Sequence, residues 1–128
     1  MNTPAALSLA TPAAAGAGWW AVCLCANWCG TCRDYRAIFE ALALAHPGVR
    51  FEWVDIEDES ELAGDLDVET FPTLLIADGA NARFLGPLLP QAPVLARLLA
   101  SLQAGQGGQG AGAEAQEVFA RVRAARGG

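Results

Sequence analysis

The feature that most restricts this chain is a junction. An unbroken apolar run, Trp19 to Ala26, leads through Asn27 and Trp28 into Cys29-Gly30-Thr31-Cys32 and then into a helical pattern. A continuous run rich in aromatic and branched side chains reads as a central strand buried on both faces. Alternation places Trp19, Ala21, Cys23 and Cys25 on one side and Trp20, Val22 and Leu24 on the other. Cys23 and Cys25 then stand parallel, about 6 to 7 Å apart, beyond the roughly 4 Å Cβ separation that a disulfide needs. They read as separate thiols, serving as small buried apolar side chains. Cys29 and Cys32 fall on the first turn of the helix, where unpaired N–H groups and the positive end of the dipole favour a thiolate. The thiolate is the attacking species in disulfide exchange, so Cys29 is read as the attacking and Cys32 as the resolving sulfur. Gly30 permits a tight turn and leaves room for a substrate disulfide.

The helix opened by this motif carries Tyr35, Ile38, Phe39, Leu42 and Ala45 at spacings of three and four, a stripe able to pack on a sheet. It stops at His46-Pro47-Gly48, where proline forbids continuation and glycine allows the turn. His46 is the only histidine, and its position at a helix end reads as a surface cap. Arg50 to Ile56 is the next strand, with Trp53, Val54 and Ile56 as core candidates. A short helix follows over Ser60 to Leu66, with Leu62 and Leu66 turned inward. Leu74-Leu75-Ile76 and Arg83-Phe84-Leu85 form a hairpin around the turn signal Asp78-Gly79. Pro90 to Leu102 is a last domain helix, with Val94, Leu95, Leu98, Leu99 and Leu102 as its stripe.

With 128 residues, 53% of them apolar, the chain suits one domain with a real core. A formal charge of -6 and the absence of lysine exclude a nucleic-acid surface, because no basic stripe is available to neutralise phosphates. Glu57, Asp58, Glu59 and Glu61 read as a solvated loop and helix start, with a docking site for a basic partner as the sharper reading. Residues 1–18 lack the basic region and continuous apolar core of a secretory signal. They are also too weakly hydrophobic to span a membrane. They are expected to be an extension in which Leu7-Ser8-Leu9 adds a short first strand. The cytoplasm is the expected compartment, with the periplasm as the alternative. Residues 103–112 read as a Gly/Gln-rich linker. Beyond it, residues 113–128 hold an amphipathic helix with the stripe Ala115, Val118, Phe119 and Val122. Glu114 and Glu117 lie near its start and Arg121, Arg123 and Arg126 near its end, as the helix dipole prefers. This helix either docks loosely on the domain or packs on a partner or a second copy through Val118 and Phe119.

The segment Cys25-Ala26-Asn27-Trp28-Cys29-Gly30-Thr31-Cys32, followed later by Phe71-Pro72-Thr73, resembles the thioredoxin family over roughly Trp19 to Leu102. The resemblance implies an α/β fold, with a central mixed sheet of four to five strands flanked by helices. The activity it implies is thiol–disulfide exchange with disulfide-containing protein substrates. An upstream thiol reductant or disulfide reductase would recharge the pair, and no cofactor is required. It makes Pro72 a cis proline facing the cysteine pair, beside backbone groups of Thr70 and Phe71 that could pair with an extended substrate, and it places Gly86 in the same groove. Departures from the pattern are also legible. Cys23 stands where the family has a buried acid beneath the resolving cysteine, Trp53 stands where that acid's lysine partner would be, and Thr31 replaces a proline. A neutral thiol cannot take a proton from Cys32 as a carboxylate can.

Beneath Cys32, Cys23 could capture a mixed disulfide or form another bridge to Cys32. Two other function classes compete with exchange. The spacing C-x-C-x3-C-x2-C offers four soft ligands for zinc or an iron–sulfur cluster, although the strand geometry of Cys23 and Cys25 opposes it. A binding or chaperone module that uses the groove without turnover is the other.

Overall fold

The computed structural model describes residues 18–105 and 110–127. The first strand, β1 (Trp19–Cys25), is followed by α1 (Gly30–Ala45), β2 (Val49–Asp55) and a single-turn helix α2 (Ser60–Ala63). The hairpin β3 (Thr73–Ala77) and β4 (Ala82–Pro87) comes next, then α3 (Ala92–Gln103) and α4 (Ala113–Ala125). The strands form one sheet in the order β2-β1-β3-β4, with β1 parallel to β2 and antiparallel to β3. This is a four-stranded mixed sheet flanked by helices, within the four to five strands that the resemblance implied. The strand proposed at Leu7–Leu9 lies outside the described residues.

The alternation read from β1 is the one the fold uses. Ala21, Cys23 and Cys25 pack with Tyr35, Phe39 and Leu42 of α1 and with Leu95, Leu99 and Leu102 of α3. On the opposite face, Trp20, Val22 and Leu24 pack with Leu62 and with Ala115, Val118, Phe119 and Val122 of α4. Each face of β1 thus buries a helical stripe, which is why its sequence is apolar without interruption. The last helix therefore belongs to the packed structure. Val118 and Phe119, proposed to meet a partner, are 0% and 3% exposed because the chain's own sheet covers them.

Boundaries differ from expectation where local chemistry intervenes. The helix expected to reach Leu66 stops at Ala63, because Gly64 adopts φ 60° and the Arg121 guanidinium occupies the space a Cβ would need. Arg121 also donates to the carbonyls of Leu62 and Ala63, the acceptors that a longer helix would have used internally. The α3 helix starts at Ala92, two residues later than expected, with Pro93 in the first turn, where its missing N–H leaves no bond unmade. Ala45, counted in the stripe of α1, is exposed at the helix end. His46 caps α1 as expected, its Nδ1 2.9 Å from the Leu42 carbonyl oxygen.

Side-chain-to-backbone bonds fasten α4 at both ends. The Gln116 amide accepts from the Ala82 N–H (2.8 Å) and donates to the Ala82 carbonyl (3.0 Å), pairing with the edge strand β4 as a further strand would. Arg126 forms a bidentate pair with Glu59 (2.8 Å on both oxygens), meets Glu52 at 3.2 Å and donates to the Trp53 carbonyl at 3.0 Å. Part of the acidic run is therefore committed to holding α4, while Glu57 and Asp58 remain exposed.

Candidate functional site

At the C-terminal end of β1 the chain must leave a buried strand and start a helix within four residues. It does so by a turn in which the Cys29 N–H donates to the Ala26 carbonyl at 3.0 Å. Cys29 is the N-cap of α1 and half-exposed, whereas Cys32, inside the first turn, is 1% exposed. The turn is braced from outside. Asp55, at the end of β2, accepts from the Asn27 N–H (2.8 Å) with one carboxylate oxygen, and from Glu57 (2.8 Å) and Asp58 (3.0 Å) with the other. Burial alone would raise the Asp55 pKa, but these three donations outweigh it and hold the carboxyl below its usual range. Asp55 was not singled out from sequence. Its only signal was an acid ending a strand opposite the junction, hidden by the longer acidic run that follows.

The sulfur pairing differs from expectation. Cys32 is bonded to Cys25, with the Cα atoms 5.8 Å apart, and Cys29 and Cys23 are the free thiols. Cys25 is thus not a separate thiol, and the second partner of Cys32 is Cys25, not Cys23. Geometry explains the choice. Both strand cysteines face α1, but Cys25 is the last residue of β1, directly below the first turn of the helix, whereas Cys23 lies one pleat deeper. Cys23 and Cys25 are indeed not bonded to each other. The Ala26 N–H points at Cys32 Sγ at 3.3 Å, so the sulfur of Cys32 carries a backbone donor as well as its covalent partner.

The second half of the site is the loop before β3. The Phe71–Pro72 peptide bond is cis and Pro72 is buried. Thr73 Oγ1 donates to the Thr70 carbonyl at 2.7 Å, closing the turn. Phe71 meets the ring of Trp28 edge-on, with centroids 5.6 Å apart, which joins this loop to the cysteine motif. Trp28 is 61% exposed, a large apolar side chain left in solvent beside Cys29. Thr70 and Gly86 line one groove of about 280 Å³ together with Leu66, Asp67, Glu69 and Glu114, while Phe71 faces Trp28 instead. Gly30 and Thr31 are exposed on the outer side of the first turn.

Beneath the motif, Cys23 and Trp53 are direct cross-strand neighbours, the two positions at which the sequence lacks the family's acid and lysine. The Arg36 guanidinium sits over the Trp53 ring, 4.9 Å from its centroid. Burial keeps the Cys23 thiol protonated far above its ordinary range, only partly offset by the charge of Arg36. Burial, followed by the neighbouring Cys23, likewise raises Tyr35. The Tyr35 hydroxyl and the Trp53 indole N–H are buried without a hydrogen-bond partner among the described residues. Of the four sulfurs that the metal reading needs, two are bonded to each other, and no described group of three or more His, Cys, Asp or Glu side chains is arranged to hold an ion. Among the described residues no helix is long and apolar enough to cross a membrane.

The sequence profile of the Thioredoxin family matches residues 15–88. A Thioredoxin H-type protein of Oryza sativa subsp. indica is 43% identical over 58 residues, covering 44% of this chain and 48% of its own length. The chain spans about half the length of the curated relatives it matches first. The X-ray structure of Fasciola hepatica thioredoxin superposes with a TM-score of 0.56 at 26% identity, covering 67% of this chain and 79% of that one. The germline-specific thioredoxin Deadhead of Drosophila melanogaster shares the fold with a TM-score of 0.59 at 20% identity, covering 70% and 85% of the two chains.

Proposed function

Because the chain belongs to the thioredoxin family, we propose that it is a thiol–disulfide oxidoreductase that exchanges disulfides with protein substrates through Cys29 and Cys32. The observation that carries this reading is the placement of Cys29. It is the half-exposed sulfur of the motif, at the start of a helix, flanked by exposed Trp28 and by the loop that holds cis Pro72. The thiolate of Cys29 attacks a substrate disulfide, expelling one substrate sulfur as thiolate and leaving a mixed disulfide. Cys32, one turn further along α1, then attacks Cys29 Sγ. The second substrate thiolate leaves, and a Cys29–Cys32 bridge holds the oxidising equivalents. An extended substrate segment would lie beside Cys29 along Trp28, Phe71 and cis Pro72.

Cys23 and Trp53, deeper than the Cys25–Cys32 bridge, offer no carboxylate to the resolving sulfur. Resolution then relies on water to remove the proton that an acid would otherwise take. A thiol reductant or disulfide reductase recharges the pair, and a reducing compartment such as the cytoplasm fits that direction. In the periplasm the same pair would run as an oxidant.

Two measurements test the reading. Reduction of insulin disulfides with dithiothreitol as donor should be accelerated by the protein and lost in Cys29→Ser. A wild type that gives no acceleration above dithiothreitol alone would sink it in favour of a binding module. Equilibration with glutathione then sets the direction. A potential near the roughly -270 mV of thioredoxin marks a reductant, and one near about -120 to -180 mV an oxidant or isomerase.

A further inference from the structure

We propose that Cys25 is a third exchange cysteine, which takes Cys32 from Cys29 and so moves the oxidised bridge from the mouth of the site into the core, leaving Cys29 as a free thiol. This rests on the reading that Cys29 and Cys32 perform exchange, and it adds a step to it.

Three observations carry the proposal. Cys32 is bonded to Cys25 in the structure, so Cys25 is within bonding reach of the sulfur that the exchange reaction assigns to Cys29. Cys25 and Cys32 are 0% and 1% exposed, whereas Cys29 is half-exposed; a reductant from solvent meets Cys29 before it meets the bridge. Cys29 and Cys32 are three residues apart across the start of one helix, the spacing that puts side chains on neighbouring turns. Cys32 is thus bonded to a buried sulfur of the strand and stands one helical turn from the accessible sulfur of Cys29. The Ala26 N–H that donates to Cys32 Sγ contacts the one sulfur shared by both bridges.

The step is balanced without an external oxidant. The thiolate of Cys25 attacks Cys32 Sγ, a Cys25–Cys32 bond forms, the Cys29–Cys32 bond breaks, and Cys29 departs as thiolate and takes up the proton that Cys25 lost. In the reverse direction Cys29 attacks Cys32 Sγ and Cys25 leaves. No electrons are gained or lost, because one disulfide and one thiol are present on each side. Since Cys29 is the accessible sulfur, electrons from a donor reach the inner bridge through it.

The assignment can be read by mass. All four cysteines precede Arg33, the first tryptic site, so trypsin alone leaves them in one peptide. Chymotryptic cuts after Leu24 and Trp28 separate Cys23, Cys25 and the Cys29–Cys32 pair. Oxidised protein is equilibrated with glutathione, its free thiols are alkylated, and it is digested with both proteases. The Cys25–Trp28 fragment should remain linked to the fragment that begins at Cys29, with Cys29 alkylated. The link should be lost in Cys25→Ser and kept in Cys29→Ser and Cys23→Ser. Reduction of the linked form by dithiothreitol should be at least about tenfold slower in Cys29→Ser than in wild type, because the accessible nucleophile is gone.

Absence of the link in both wild type and Cys29→Ser overturns the proposal. Equal reduction rates also overturn it, leaving an inert staple. The parent reading fails separately. Insulin reduction by wild type without the link sinks the Cys25 step alone. If wild type does not reduce insulin, the exchange reading itself is sunk, whether or not the link forms.

Discussion

The two faces of the sheet are covered in different ways. The face under α1 and α3 holds all four cysteines, Cys23, Cys25 and Cys32 buried and Cys29 packed against them, together with two buried polar groups that have no partner among the described residues. The face under α2 and α4 carries no sulfur in its buried cluster, and its helix is pinned by Gln116, Arg121 and Arg126, each bonded to main-chain atoms. An apolar stripe buries area but does not select a register, whereas bonds to particular carbonyls do. The second face is a fixed backing, and the freedom to rearrange bonds lies on the first, between sulfurs that share one partner.

The contrast can be tested from the largest expected effect downward. Phe119→Ala removes a side chain that packs edge-on against Trp20 at 5.6 Å and should lower stability in urea unfolding by about 3–5 kcal/mol. Per folded molecule, insulin reduction should not change; a parallel loss of rate would mean that the two faces are not separable.

Asp55→Asn loosens the brace between β2 and the cysteine turn and should cost about 1–3 kcal/mol at neutral pH. The folded carboxyl lies below its unfolded value of about 3.9. Its stabilisation is therefore complete above that value and lost as pH falls through the lower folded one. The gap between wild type and Asp55→Asn should accordingly close on acidification, and a gap that widened below pH 4 would contradict the brace.

Arg126→Met should cost about 1–2 kcal/mol, less in high salt, because its pairs with Glu59 and Glu52 are partly solvated. Unfolding measured across a salt series checks it.

Tyr35→Phe is expected to be neutral or stabilising by up to about 1 kcal/mol, since it removes a buried hydroxyl without a partner. A clear loss of stability would reveal a partner for that hydroxyl.

Much of this could be read in advance. The faces of β1, the inward residues Tyr35, Phe39 and Leu42 of α1, the hairpin around Asp78-Gly79 and the stripe of the last helix all follow from side-chain period, which is a local property. Gly79 illustrates why. It adopts φ 98°, and a Cβ there would sit 2.6 Å from the Gly18 carbonyl oxygen, so the residue type announces the turn. Asp55, Gln116 and Arg121 gave no such signal, because the bonds by which they brace other elements span 28, 34 and 59 residues. The fate of the last helix was equally illegible: an amphipathic stripe states that something must cover it, not what.

The cysteines divide along the same line. Sequence by itself determined the chemistry available to this protein, namely four thiols around a strand-to-helix junction, one pair at helix spacing and another on one face of a strand, and it excluded a bond between Cys23 and Cys25. Those are consequences of 3.6- and 2-residue periods and need no neighbour. Only the tertiary structure decided which sulfurs meet. Cys25 lies beneath Cys32 because α1 folds back over the end of β1, and that placement comes from packing on the sheet together with the bond from Asp55 to the turn.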